Sequence, residues 1–95
     1  MSVTAATLPE PDLDALSAEG EAIYERRLRP VLEPERTGET VAIHLPTGEY
    51  ALGKSSPAAL RALRSLGLDG MVMTRIVGPD RPDTTLDRML GPHHR

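Results

Sequence analysis

The sequence of 95 residues contains no cysteine, no phenylalanine and no tryptophan, and its aromatic content is Tyr24 and Tyr50. The lack of cysteine excludes a disulfide framework, a thiol nucleophile and a cysteine-liganded zinc site. With so few aromatic residues, a core has to be built from Leu, Ile, Val, Ala and Met, which bury less area per side chain. The length predicts one small domain.

Long apolar runs and an excess of basic residues are also missing. The apolar runs are far shorter than the ~20 residues that a membrane-spanning helix needs. The first twenty residues lack the basic segment followed by an apolar segment that is typical of a signal peptide. We therefore expect a cytoplasmic protein. The net charge of −3 argues against a whole-chain nucleic-acid footprint.

The charges are divided unevenly along the chain. Residues 1–50 hold ten acidic residues and four arginines, whereas residues 51–95 hold four acidic and seven basic residues. One interpretation is that two solvated surfaces differ by chance. The other is a bipolar surface that docks a partner or a second copy of the chain.

The chain is expected to begin with a disordered segment and an amphipathic helix. Residues 1–12 carry two prolines and no periodicity, which is typical of disorder. A helix is predicted over residues 13–28, with Asp12 or Asp14 as its N-cap. Pro30 is expected to end it, because proline disfavours helical conformation in the preceding residue. The apolar residues at helical spacing are Leu13, Leu16, Ile23, Tyr24 and Leu28.

A β-hairpin is predicted next, from strands at residues 40–46 and 49–53 joined by Pro46-Thr47-Gly48. The first strand alternates, which predicts burial of one face. Val41, Ile43 and Leu45 share one face, and Ala42 and His44 share the other.

The second half predicts a helix and a third strand. Ser55 or Ser56 caps a helix that has Pro57 in its first turn and ends near Gly67. Residues 71–77 form an almost continuously apolar strand, which is typical of a central position. Residues 85–90 are predicted to form a helical turn.

These elements predict an α+β fold with the order α-β-β-α-β. We expect a small three-stranded sheet, in the order 2-1-3, with both helices packed on one face. The single domain would span residues 13–90, followed by a flexible end at residues 91–95. In this order residues 49–53 and 71–77 are edge strands, although the apolar run of the latter suits a central strand.

No catalytic constellation is found in the sequence. No G-x-S-x-G turn and no glycine-rich phosphate-binding motif occurs. His93-His94 near the end of the chain is interpreted as adventitious, and no metal or cofactor is predicted. His44 is interpreted as a partly exposed histidine of the sheet face, or alternatively as a titrating interface residue. We therefore expect a protein that is not an enzyme.

An ordered set of short motifs spans residues 23–79. It resembles a family of small uncharacterised bacterial proteins with the signature IYE…RP.LEPE..G..VAI…TG.Y. The resemblance implies a shared scaffold and no particular activity. Members commonly carry an acidic residue where this chain has His44, so a role for that acid is not implied here. The matching motifs are Ile23-Tyr24-Glu25, Arg29-Pro30, Leu32-Glu33-Pro34-Glu35, Gly38, Val41-Ala42-Ile43, Thr47-Gly48, Tyr50, Arg75-Ile76 and Gly78-Pro79.

The expected function is that of a bacterial accessory or interaction module, for which an antitoxin-like protein is one example. Its partner would be another protein or a second copy bound at a sheet edge or at the first helix. Tyr24, Arg29 and Glu33 are also predicted to form a packing and hydrogen-bonding corner. The alternative is nucleic-acid binding through Arg61, Arg64 and Arg75. The candidate partner-binding residues are Tyr24, Arg29, Glu33, Val72, Met73 and Arg75.

Overall fold

The computed structural model describes residues 12–78 and 84–89 and has the predicted α+β class. A four-stranded antiparallel sheet has the order β2-β1-β3-β4. The predicted tails lie outside the described residues, except Asp12. The elements are α1 (Leu13–Ile23), a π-helical segment (Tyr24–Leu28), α2 (Arg29–Leu32), β1 (Thr40–His44), β2 (Tyr50–Gly53), α3 (Ser56–Arg64), β3 (Gly70–Ile76) and β4 (Thr85–Met89).

The first helical stretch begins at a capped residue and continues past its proline. Asp12 is the N-cap, and its Oδ1 accepts a hydrogen bond of 3.1 Å from the backbone N–H of Ala15. The prediction that Pro30 ends the helix is wrong, because helical structure continues to Leu32. The N–H of Arg29 donates to the carbonyl of Tyr24, five residues earlier. This wider turn accommodates Pro30, whose nitrogen carries no hydrogen to donate and whose ring would otherwise crowd the preceding turn.

None of the helices in residues 12–78 and 84–89 has the length and apolar character needed to cross a membrane.

The segment predicted as a C-terminal helical turn is a strand. β4 pairs with β3 in antiparallel register, with Thr85 opposite Thr74 and Leu86 opposite Met73. The three-stranded prediction and the placement of β3 at an edge are therefore wrong, while the order 2-1-3 is retained within the larger sheet. The central position of β3 explains its apolar run, because both of its faces are largely covered.

The two helical layers lie on opposite faces of the sheet, so the prediction of one shared face is wrong. All five residues of β1 are buried, which means that each face needs a covering layer. The first helical stretch covers one face, and the core there, the Tyr24 cluster, contains Tyr24, Leu28, Leu32, Val41, Ile43, Leu45, Met73 and Val77. Helix α3 covers the other face, where the Leu63 cluster contains Ala42, Ala59, Leu63, Val72 and Met89.

Candidate functional site

Arg75, near the end of β3, is the centre of a buried polar network. It is opposite Val41 in the sheet, so its side chain lies on the face covered by the first helix. Nη1 donates to Glu21 Oε1 at 2.6 Å, Nη2 to the carbonyl of Gly78 at 2.8 Å and Nε to the carbonyl of Ile76 at 2.9 Å. The guanidinium carbon lies 3.8 Å from the centroid of the Tyr24 ring. The cation is thus held by an ion pair, two carbonyls and an aromatic face.

Tyr24 links this arginine to the end of the helical stretch. Its hydroxyl donates to Glu33 Oε2 at 2.6 Å and accepts from the backbone N–H of Gly78 at 3.0 Å. Burial, followed by the hydrogen bond to Glu33, raises the pKa of Tyr24. The phenol is therefore held in its neutral form.

Arg29 pairs with two carboxylates on the same side of the helix. Its Nη1 lies 2.9 Å from Glu33 Oε2, and it binds Glu25 in a bidentate fashion at 2.9 and 2.5 Å. This hydrogen bonding lowers the pKa of Glu25 and raises the pKa of Arg29. The predicted corner of Tyr24, Arg29 and Glu33 is confirmed. The whole set, which we name the Arg75–Tyr24 network, comprises Glu21, Tyr24, Glu25, Arg29, Glu33 and Arg75.

A groove of about 470 Å³ runs along α1 beside this network. Glu21 contributes to its wall, and the Oε2 atom of that carboxylate is buried and has no hydrogen-bond partner. The other described residues of the wall are mostly small: Ser17, Ala18, Ala22, Glu25 and Thr84. In the part of the chain that the structure describes, no three His, Asp or Glu residues are grouped so that they could hold a metal ion.

Three of the predicted partner-contact residues are inaccessible. Val72 and Met73 are 0% exposed and Arg75 is 2% exposed. The prediction that these residues contact a partner assumes that β3 is an edge strand, whereas β4 pairs with that edge. Arg75 also cannot serve the nucleic-acid hypothesis as an exposed cation, because Glu21 and two carbonyls engage it inside the fold.

His44 is also buried, contrary to the expectation of a partly exposed histidine. It is 2% exposed, and its Nε2 lies 2.5 Å from the carbonyl of Asp69 while its Nδ1 lies 2.7 Å from Thr47 Oγ1. Because a carbonyl only accepts, Nε2 carries a proton, and the Thr47 hydroxyl can donate to Nδ1. His44 therefore joins the hairpin turn to the loop before β3, a pairing that strand alternation could not reveal.

The outer side of β2 is an open sheet edge. The N–H of His44 donates to the carbonyl of Glu49 at 2.8 Å, so this carbonyl is directed toward β1. Because residues that bond inward and outward alternate along an antiparallel ladder, Ala51 also bonds toward β1, whereas Tyr50 and Leu52 direct their N–H and C=O groups outward. Within residues 12–78 and 84–89, no other segment donates to or accepts from these outward groups.

The two outer strands differ in charge. β4 carries Asp87 and Arg88, both exposed, within its five residues. β2 carries no charged residue, and its first residue, Tyr50, is 38% exposed. Charged side chains discourage the addition of a further strand. By this criterion β2 is the more receptive edge.

Comparison of this chain with protein-family models, with curated proteins and with solved structures finds no match. The resemblance to the signature family stays a hypothesis, and the function is inferred from the geometry of the chain itself.

Proposed function

We propose that this protein is a non-enzymatic interaction module that binds an extended protein segment as an additional strand beside β2. The observation that carries the proposal is the pair of residues, Tyr50 and Leu52, whose backbone groups point outward from the open edge. An added strand would satisfy these groups by main-chain hydrogen bonds.

The side chains of β2 support the same function. Tyr50 and Leu52 lie on the face of Val41 and Ile43, so an added strand would extend the Tyr24 cluster on that face. Side chains at alternate positions of the added strand would then provide specificity, while the backbone provides affinity. The partner need only present a short extended segment with apolar side chains at alternate positions.

The Arg75–Tyr24 network has a supporting role in this proposal. Tyr24, Arg29 and Glu33 bond mainly to one another and to Gly78. We assign them to holding the helical layer on the sheet instead of to direct partner contact. Rigid support of this kind lowers the entropic cost of ordering a binding surface.

Site-specific photo-crosslinking in cells tests the proposed function. A photoreactive residue replaces Lys54, which is exposed and directly follows β2. The same substitution is then combined with Tyr50→Pro, which removes an outward N–H without removing a bond to β1. Tyr50→Phe is the matched control, because it keeps both the ring and the N–H.

The proposal expects a protein adduct in the wild-type and Tyr50→Phe backgrounds and its loss in the Tyr50→Pro background. The purified Tyr50→Pro protein should melt as a folded domain, which separates edge blocking from unfolding. Absence of any adduct, or an adduct that Tyr50→Pro leaves unchanged, would contradict the proposal.

Nucleic-acid binding is the alternative function, and it would depend on Arg61 and Arg64. Both are exposed in the last turn of α3, where basic residues also complement the helix dipole. Two phosphate contacts would give a shallow dependence of affinity on salt. Salt-sensitive retention on DNA that is lost in Arg61→Ala/Arg64→Ala, but not in Tyr50→Pro, would favour this alternative.

A further inference from the structure

We infer that the strand bound at the β2 edge is β2 of a second copy of this chain, paired antiparallel about a two-fold axis at Ala51. The resulting dimer has one continuous eight-stranded sheet. This inference rests on the proposed function and names the occupant of the same edge.

The backbone of β2 is self-complementary in this register. Tyr50 of one copy is opposite Leu52 of the other, and both residues have outward N–H and C=O groups. Each of the two symmetry-related pairs exchanges two hydrogen bonds, so all the outward groups of Tyr50 and Leu52 are satisfied. A slip of one residue would place an outward-facing residue opposite an inward-facing one. A slip of two residues would leave only one of the two pairs.

The side chains of β2 also fit this axis. In the proposed register Tyr50 of one copy lies directly opposite Leu52 of the other, and both side chains are on the same face of the sheet. Tyr50 is 38% exposed in the single chain, so the pairing covers apolar surface. Glu49, which precedes the strand, is opposite Gly53 of the second copy, and the four residues of β2 carry no charge, so no like charges face each other.

Pairing of β4 with its own copy is less favourable. A two-fold axis at the middle of that strand would place Asp87 directly opposite Asp87 of the second copy. Like charges directly opposite each other destabilise a strand pair. At the centre of the β2 pair stands Ala51, which is small and uncharged, and which packs against the Leu63 cluster of its own copy.

Sedimentation equilibrium of the purified full chain tests the inference. We expect the chain to form a dimer with a dissociation constant of about 100 μM or lower, the range of weak specific association. Tyr50→Pro should raise the dissociation constant about ten-fold or more, because it removes two of the four hydrogen bonds between copies. Tyr50→Phe should leave the dissociation constant nearly unchanged.

A disulfide at the axis tests the register independently of proline. The axis makes Ala51 and its copy a pair without hydrogen bonds, with Cα atoms about 4.5 Å apart, which is within the range for a disulfide. The chain has no cysteine of its own, so Ala51→Cys should form a disulfide-linked dimer on oxidation. Lys54→Cys is the control and should not, because residue 54 is opposite residue 48 of the second copy in this register. This disulfide reports the register even if Tyr50→Pro fails to fold.

A wild-type chain that is monomeric throughout the concentration range would overturn the inference. So would a dimer that Tyr50→Pro does not weaken, or one in which Ala51→Cys forms no disulfide between copies. If the purified chain is monomeric but the crosslink in cells joins a different protein and requires the open edge, the proposed function stands and only the second copy is rejected as the occupant.

Discussion

Arg75 shows how a charged residue can belong to the core. Five N–H donors in a planar fork allow one side chain to serve Glu21 and the carbonyls of Ile76 and Gly78 while stacking on Tyr24. Charged residues are almost never fully buried unless they are paired. No residue close to Arg75 in the sequence indicates which group is its partner. The partner, Glu21, is 54 residues away along the chain.

Replacement of Arg75 by Met should lower the free energy of unfolding by about 3 kcal/mol, because it leaves the carboxylate of Glu21 without its counterion. Urea denaturation would measure the change. Arg75→Lys should recover part of the loss, since it keeps the charge but not the fork. The exposed control Arg61→Met should stay within about 0.5 kcal/mol of the wild type. An Arg75→Met protein as stable as that control would show that the ion pair contributes nothing net.

The raised pKa of Tyr24 predicts that the protein loses stability at alkaline pH. Its pKa is raised in the folded protein, so its stabilising contribution is complete below the unfolded pKa of about 10 and is lost as pH rises through the folded pKa. Thermal unfolding from neutral to strongly alkaline pH should therefore show a steeper decline for the wild type than for Tyr24→Phe. An equal decline in melting temperature for the wild type and Tyr24→Phe would contradict a raised pKa of Tyr24 in the folded protein.

The same substitution has a cost at neutral pH. Tyr24→Phe removes the acceptor of the Gly78 N–H and should destabilise the fold by about 1–3 kcal/mol. In a Tyr50→Phe background Tyr24 is the sole tyrosine, so phenolate absorbance reports its ionisation directly.

At the scale of elements, two glycines mark where helices approach the sheet. A Cβ on Gly20 would lie 2.5 Å from Sδ of Met73, and a Cβ on Gly53 would lie 2.5 Å from the backbone nitrogen of Ala59. Gly20 weakens the isolated helix by about 1 kcal/mol relative to alanine, but it allows α1 to pack closely on β3. Gly53 allows α3 to begin directly over the end of β2.

Gly53→Ala should destabilise the protein by about 1–3 kcal/mol, because the added methyl group meets helix backbone instead of a movable side chain. Thermal or urea unfolding measures the effect. Lys54→Ala, at the exposed neighbouring position, is the control and should be nearly neutral. An unchanged stability of Gly53→Ala would mean that α3 can shift away from β2 at little cost.

At the scale of the molecule, β4 converts the apolar β3 from an edge into an internal strand. A chain that ends at Gly78 lacks β4 and also loses Met89, a member of the Leu63 cluster. We expect this truncated chain to lose cooperative unfolding and to aggregate, because an unprotected apolar edge invites further pairing. A chain that ends at Leu90 is the matched control and should unfold like the full chain, measured by circular dichroism. Equal cooperativity of the two truncated chains would contradict this role of β4.

Local features of the sequence were sufficient for much of the fold. Alternation in residues 40–46 predicted β1 and the burial of Ile43, and Ser55 with Pro57 predicted the start of α3, where Ser55 Oγ accepts from the N–H of Ala58. The order of β2, β1 and β3 followed from the hairpin and the crossover. These features depend on residues close in the chain, whose spacing directly reflects backbone geometry.

Long-range packing decided the rest. Periodicity shows which side of a helix is apolar but not which face of the sheet it covers, so the opposite placement of the two helical layers was not predictable from it. The five residues of β4 suit a helical turn or a strand, and pairing with β3 selected the strand. Arg75 and His44 are buried because distant groups, Glu21 and the carbonyl of Asp69, meet their donors, and only the folded chain brings those groups together.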